Sequence, residues 1–61
     1  MTLSQLLYLL RSDAVICVMF PDGSFRRGYV DNLKRDSLVY NASEMLIRDI
    51  CMKDGVALIT L

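Results

Sequence analysis

Apolar positions follow two different periods along this chain. From Leu3 to Leu10 they recur at Leu3, Leu6, Leu7 and Leu10, the i, i+3, i+4, i+7 spacing of one helix face. Thr2 and Gln5 stand at the two positions of a capping box, and Met1 and Leu6 at those of a hydrophobic staple around it. A helix is therefore predicted from Thr2, stopping near Ser12-Asp13. After it the pattern changes. Ala14–Phe20 is a nearly unbroken apolar run, Pro21-Asp22-Gly23 is a turn, and Ser24–Val30 is a second arm that carries Arg26 and Arg27. Proline pre-sets φ for a turn and glycine accepts the left-handed conformation, so this stretch reads as a β-hairpin with a three-residue loop. In that register Val15, Cys17 and Met19 share a face with Phe25, Arg27 and Tyr29. A second apolar pair, Met45–Met52 and Val56–Leu61, flanks Lys53-Asp54-Gly55 and reads as a second hairpin of the same kind. With a three-residue loop there, Met52 faces Val56 and Ile50 faces Leu58. That register puts Ile50, Met52, Val56 and Leu58 on a core face. Between the hairpins, Asp31–Asp36 fits either a capped helical turn or a continued strand, and Ser37–Tyr40 either a short strand or an apolar cover. Asn41 and Glu44 have the spacing of a cap before one further turn of helix.

The fold class expected is α+β: an N-terminal helix packed on an antiparallel sheet of four strands, or five, built from two hairpins in a single domain spanning residues 1–61. Sixty-one residues allow only a small core. Yet 54% of the residues are hydrophobic and the mean hydropathy is +0.38. Both hairpins also carry arms that are apolar on both faces. Surplus apolar surface of this kind calls for a partner subunit, so a homo-oligomer, dimer or tetramer, is expected. Its interface is assigned to Val15, Cys17, Met19, Ile47, Cys51, Ile59 and Leu61. The two cysteines lie in apolar runs without ligand spacing and read as reduced thiols in a cytoplasmic protein. The stretch Leu3–Leu10 lacks the flanks of a signal peptide and is too short to span a bilayer, so no membrane association is expected.

Charge narrows the chemistry. Seven basic and seven acidic residues give a net charge of zero, and there is no histidine. No catalytic motif, metal site or cofactor site is expected, and the chain reads as a non-enzyme. The carboxylates are spread singly. Asp13, Asp31 and Asp36 could serve a metal-dependent DNA-nicking activity only by converging across an oligomer. The more informative cluster is basic. Arg26, Arg27, Lys34 and Arg35 fall within ten residues, with Tyr29 and Tyr40 nearby. Cationic groups neutralise phosphate and tyrosine rings stack on bases, so these six residues are the candidates for binding DNA, RNA or a protein partner.

The order of these features resembles that of very small proteins encoded by phages and mobile elements of Firmicutes. The likeness rests on Thr2-Leu3-Ser4-Gln5-Leu6, Val15–Gly23, Gly28-Tyr29-Val30, Asp31-Asn32-Leu33, Asp54-Gly55 and Val56–Leu61. It covers nearly the whole chain through turns and apolar spacing. Some such proteins are counter-defence factors, including anti-CRISPR proteins that act as oligomers on nucleic acid or on host effectors. The resemblance implies that role here, inside a bacterial host cell, with a host defence enzyme as a partner. A second resemblance is to Sm-like small β-barrels, through Val18–Gly23 and Gly28-Tyr29-Val30, and implies RNA binding. It stops downstream, where neither an Asp-x-x-Asn pairing nor a basic glycine motif follows.

Overall fold

The computed structural model describes all residues, Met1–Leu61. It is an α+β fold. Helix α1 (Leu3–Leu9) is followed by strands β1 (Val15–Met19) and β2 (Phe25–Tyr29). Two short helices come next, α2 (Val30–Leu33) and α3 (Ser37–Asn41), and then strands β3 (Asp49–Lys53) and β4 (Val56–Thr60). The four strands form one sheet in the order β2-β1-β4-β3. Both hairpins are antiparallel, but they join through a parallel pairing of β1 with β4, Ile16 opposite Ala57 and Val18 opposite Ile59. The sheet is therefore not wholly antiparallel, and it has four strands rather than five. The parallel pair puts the two most apolar runs of the chain at the centre of the sheet, where a strand has neighbours on both edges. Part of the apolar excess in β1 and β4 is explained by that position alone.

Helix α1 forms as its sequence directs. The Thr2 N–H donates to Gln5 Oε1 at 2.8 Å, and the Gln5 N–H donates to Thr2 Oγ1 at 3.3 Å. Leu3, Leu6 and Leu7 are buried and Leu10 packs against the core, whereas Tyr8 and Leu9 point outward. The helix stops at Leu10, which turns extended two residues before Ser12. Residues 30–41 are helical in two short pieces. Asp36 caps α3, its carboxylate accepting from the Leu38 and Val39 N–H groups at 2.9 and 3.2 Å. The cap thus belongs to Asp36. No helix starts at Asn41, where α3 instead ends. All helices lie on one face of the sheet. Leu3, Leu6, Leu7, Val30, Leu33, Val39 and Ala42 meet Ile16, Val18, Ala57, Ile59 and Leu61 in a single core.

The two hairpin turns differ although both contain Asp-Gly. In the first, the Gly23 N–H closes on Phe20 O at 3.0 Å, and the Phe20 N–H bonds Ser24 O at 2.8 Å. Gly23 has φ +91°, and the three-residue loop sets Met19 opposite Phe25 as the sequence implies. The Asp22 carboxylate accepts from the Ser24 hydroxyl at 2.6 Å and from its N–H at 2.9 Å. These bonds, the hydroxyl first, hold the Asp22 carboxyl below the usual aspartate range. The second turn uses only Asp54 and Gly55, at φ +53° and +77°, both in the left-handed region. Two such residues make a primed two-residue turn, which matches the twist of the flanking strands. Lys53 then pairs with Val56, Met52 with Ala57, and Ile50 with Ile59.

That one-residue difference corrects the expected register: Ile50 and Met52 stay on the helical face of the sheet, and the β4 side chains change places relative to them. Ala57, Ile59 and Leu61 go into the core, while Val56 and Leu58 go to the outer face. Residues 45–47 do not extend β3. They pair with the start of the chain, through the Thr2–Leu46 bridge, Leu3 N–H to Met45 O and Ile47 N–H to Met1 O, both at 3.0 Å.

Ile59 is fully buried, so Ile59→Ala is expected to cost about 3 kcal/mol, whereas Met52→Ala on the exposed edge strand should cost under about 0.5 kcal/mol. Urea unfolding of the two variants tests the register; similar losses for both would reject it. The Asp22 turn has its own signature. Its native state favours the ionised carboxylate, so that contribution is complete above the ordinary aspartate value and fades as pH falls through the lowered one. Ser24→Ala should move the Asp22 titration upward in a carboxyl NMR experiment, and an unchanged midpoint would show that the hydroxyl contributes nothing.

Candidate functional site

Two surfaces remain once the core is assembled, and they lie on opposite sides of the body. The first is the outer face of the sheet, which no helix covers. Strand alternation places Phe25, Arg27 and Tyr29 of β2 there, beside Val15, Cys17 and Met19 of β1. Next come Val56, Leu58 and Thr60 of β4, and then Asp49, Cys51 and Lys53 of β3. Phe25 and Tyr29 are 58% and 53% exposed. A shallow groove of about 340 Å³ crosses this face over Cys17, Val56 and Leu58, between Phe25 and Arg27 on one side and Lys53 and Asp54 on the other.

The second surface lies among the helices. A groove of about 350 Å³ runs between α1 and α3, with the buried Leu7 and Val39 as its floor. Tyr8 and Tyr40 flank it, 82% and 71% exposed. Lys34, between α2 and α3, holds its ammonium 5.1 Å from the centre of the Tyr8 ring, within cation–π range. Ser4 and Ser43 complete the lining, and the Ser4 N–H bonds Ser43 O at 2.9 Å, tying the two walls together.

The six residues expected to bind nucleic acid or a partner are dispersed between these surfaces. Arg27 and Tyr29 lie on the outer sheet face. Lys34 and Tyr40 line the helical groove, together with Tyr8, which was not among the residues the sequence pointed to. Its only signal was a tyrosine off the apolar stripe of α1. Arg26 points to the helical side of β2 and pairs with Asp36, Nε to Oδ2 at 3.3 Å. Arg35 pairs with Asp31 at 3.2 Å, one helical turn away. Adjacent residues in a strand point to opposite faces, which is why Arg26 and Arg27 separate. Arg11 joins Asp13 at 3.1 Å, and Arg27, Lys34, Arg48 and Lys53 are left without a carboxylate partner.

The residues assigned to an oligomer interface divide similarly. Val15, Cys17, Met19 and Cys51 belong to the outer sheet face. Ile59 and Leu61 are 0% and 2% exposed inside the core, so they offer nothing to a second subunit. Ile47 is half-buried and packs against the core. Both cysteines are free thiols, Cys17 buried and Cys51 exposed.

Asp13 and Asp31 border a shallow hollow with Ser12, Tyr29 and Asn32, but each is ion-paired to an arginine, while Asp36 is spent on its cap and on Arg26. No three His, Cys, Asp or Glu side chains gather anywhere in the chain. No helix is long and apolar enough to cross a membrane. No protein-family model, curated protein or solved structure matches this chain.

Asp36 serves two purposes, and two substitutions separate them. Asp36→Ala removes both the cap and the Arg26 pair and is expected to cost about 1–2 kcal/mol. Asp36→Asn keeps a capping oxygen and should cost well under half of that. Thermal unfolding of both variants checks this; equal losses would place the stabilising effect in the ion pair instead.

Proposed function

We propose that this chain is a non-enzymatic, self-associating accessory protein of a phage or mobile element, acting inside the host cell against a nucleic-acid-directed defence system of the anti-CRISPR kind. The observation that supports it most is the uncovered outer face of the sheet. Its centre is apolar and its β2 edge carries Phe25, Tyr29 and an unpaired Arg27. Aromatic, methionine and arginine side chains are the types enriched in protein interfaces. The dispersal of the basic cluster weighs the same way, because two of its four cations are neutralised within the chain.

A second copy is the occupant the dimensions favour. The molecule is nearly isometric, 24 × 21 × 20 Å, with an accessible surface of 4180 Å². One of its six sides therefore offers about 700 Å², close to the roughly 800 Å² per partner of a standard interface. Two-fold stacking of the faces about an axis along the strands brings β2 of one copy over β3 of the other. Arg27 then lies over the middle of the partner's β3 edge, between Asp49 and Lys53. The alternative two-fold, across the strands, sets Arg27 against its own copy and is disfavoured by like charge. Binding of DNA or RNA is the second reading, and the Tyr8–Lys34–Tyr40 groove is what favours it. The Sm-like reading finds less support, because these four strands make an open sheet backed by helices.

Light scattering at tens of micromolar is expected to give twice the 6.9 kDa chain mass or more, and Leu58→Lys to give the single chain. A monomeric wild type would remove the self-association. The biological role is tested separately. Cells carrying an RNA-guided nuclease and its target plasmid should retain the plasmid when this chain is expressed, and plasmid loss at the control rate for each nuclease class tried counts against an anti-CRISPR role.

A further inference from the structure

The fold gives no reason for two large, exposed tyrosines to stand beside the groove of the helical layer. Tyr8 leaves the apolar stripe of α1 and Tyr40 leaves the buried side of α3, yet both border the same hollow. Beneath them Leu7 and Val39 form an apolar floor. Lys34 is the sole charged group of the lining, and no carboxylate neutralises it. The arrangement combines flat π-surfaces, an apolar base, one cation and the hydroxyls of Ser4 and Ser43.

We propose that this groove binds a nucleotide unit, with the aromatic base stacked on Tyr8 or Tyr40 and the phosphate held by Lys34. The volume of about 350 Å³ is at the small end of the range for ligand sites, enough for one nucleotide and not for a folded helix of nucleic acid. Every base has a π-face, so stacking on tyrosine requires no particular sequence and instead requires an unpaired base. The ammonium stands over the Tyr8 ring, 5.1 Å from its centre, so a base that stacks on that face displaces it and the phosphate takes the ring's place as partner of the cation. The Ser4–Ser43 backbone bond fixes one end of the groove, so the walls are held together before a ligand arrives. This inference deepens the nucleic-acid arm of the reading above. It is independent of self-association, since the groove and the outer sheet face are on opposite sides of the molecule.

The ligand chemistry has two sources, a free nucleotide or an unpaired stretch of DNA or RNA, and fluorescence anisotropy separates them. The probes are a dye-labelled adenosine nucleotide and labelled twelve-base thymine and uracil oligonucleotides, titrated with the full-length protein at low salt. Binding of the oligonucleotides alone assigns the groove to single strands, and binding of both assigns it to the nucleotide unit itself. Tyr8→Ala and Tyr40→Ala, both at exposed positions, should each leave the circular dichroism spectrum unchanged. At least one should weaken binding by about tenfold or more, as expected for loss of a stacked base. Lys34→Gln should lower the slope of log affinity against log salt by about 0.7, the contribution of one phosphate contact to a single strand. Absence of binding to every probe at millimolar protein overturns the proposal, as does binding that survives all three substitutions. Leu58→Lys should bind as wild type does, so a failed dimer and a failed groove give separate readouts.

Discussion

The pairing of β1 with β4 holds the molecule together. Each hairpin alone is a two-stranded ribbon, which is at best marginally stable in water. Joined through the parallel ladder, the hairpins become one four-stranded sheet with Ile16, Val18, Ala57 and Ile59 side by side on its inner face. Only a surface of that width gives α1, α2 and α3 something to cover. The ladder runs on past the strands, where the Leu61 N–H bonds Met19 O at 2.9 Å and Leu61 itself enters the core. The bond is long-range in sequence, so its loop-closure entropy must be offset by burial, and the near-continuous apolar runs at Val15–Phe20 and Val56–Leu61 provide it.

The same constraint creates the outer face. A strand with neighbours on both edges has two faces, and here the connecting helices all pass on one side. Val15, Cys17, Met19, Val56 and Leu58 are shielded laterally by their neighbours but have no layer above them. The edge strands are more polar, with Arg27 on β2 and Asp49 and Lys53 on β3, which discourages indiscriminate edge pairing. Apolar character therefore concentrates at the middle of a face with charged margins, the layout of an interface with a buried centre and a polar rim. The helical side offers a contrast. Its core is closed, and the aromatic and cationic groups Tyr8, Tyr40 and Lys34 stand exposed there beside the aliphatic Leu9 and Leu38.

Much of the first half was legible in the residues. The Thr2–Gln5 capping box, the leucine stripe and the Pro21-Asp22-Gly23 loop each depend on neighbours within a few positions, and each forms as its chemistry requires. The second hairpin was legible in existence but not in register. An Asp-Gly pair supports a three-residue loop or a primed two-residue turn, and the choice between them decides whether Leu58 or Ile59 is inside. Here both Asp54 and Gly55 take positive φ, and Ile59 is buried. The basic run was visible as a composition, but its geometry was not. Arg26 and Arg27 separate because a strand alternates, and Arg35 is taken by Asp31 because a helix brings i and i+4 together.

By itself the amino-acid sequence determined the local elements: one capped helix, two turns, and arms too apolar for a single small core. It contains no histidine, and its carboxylates are spread singly along the chain. Only the tertiary structure decided that the hairpins join in parallel, which way the second one faces, and that Tyr8, Lys34 and Tyr40 meet across a groove. Those outcomes rest on contacts between residues far apart in the chain. Their energies depend on which alternative buries the most apolar surface at once, and no local pattern of residues encodes that comparison.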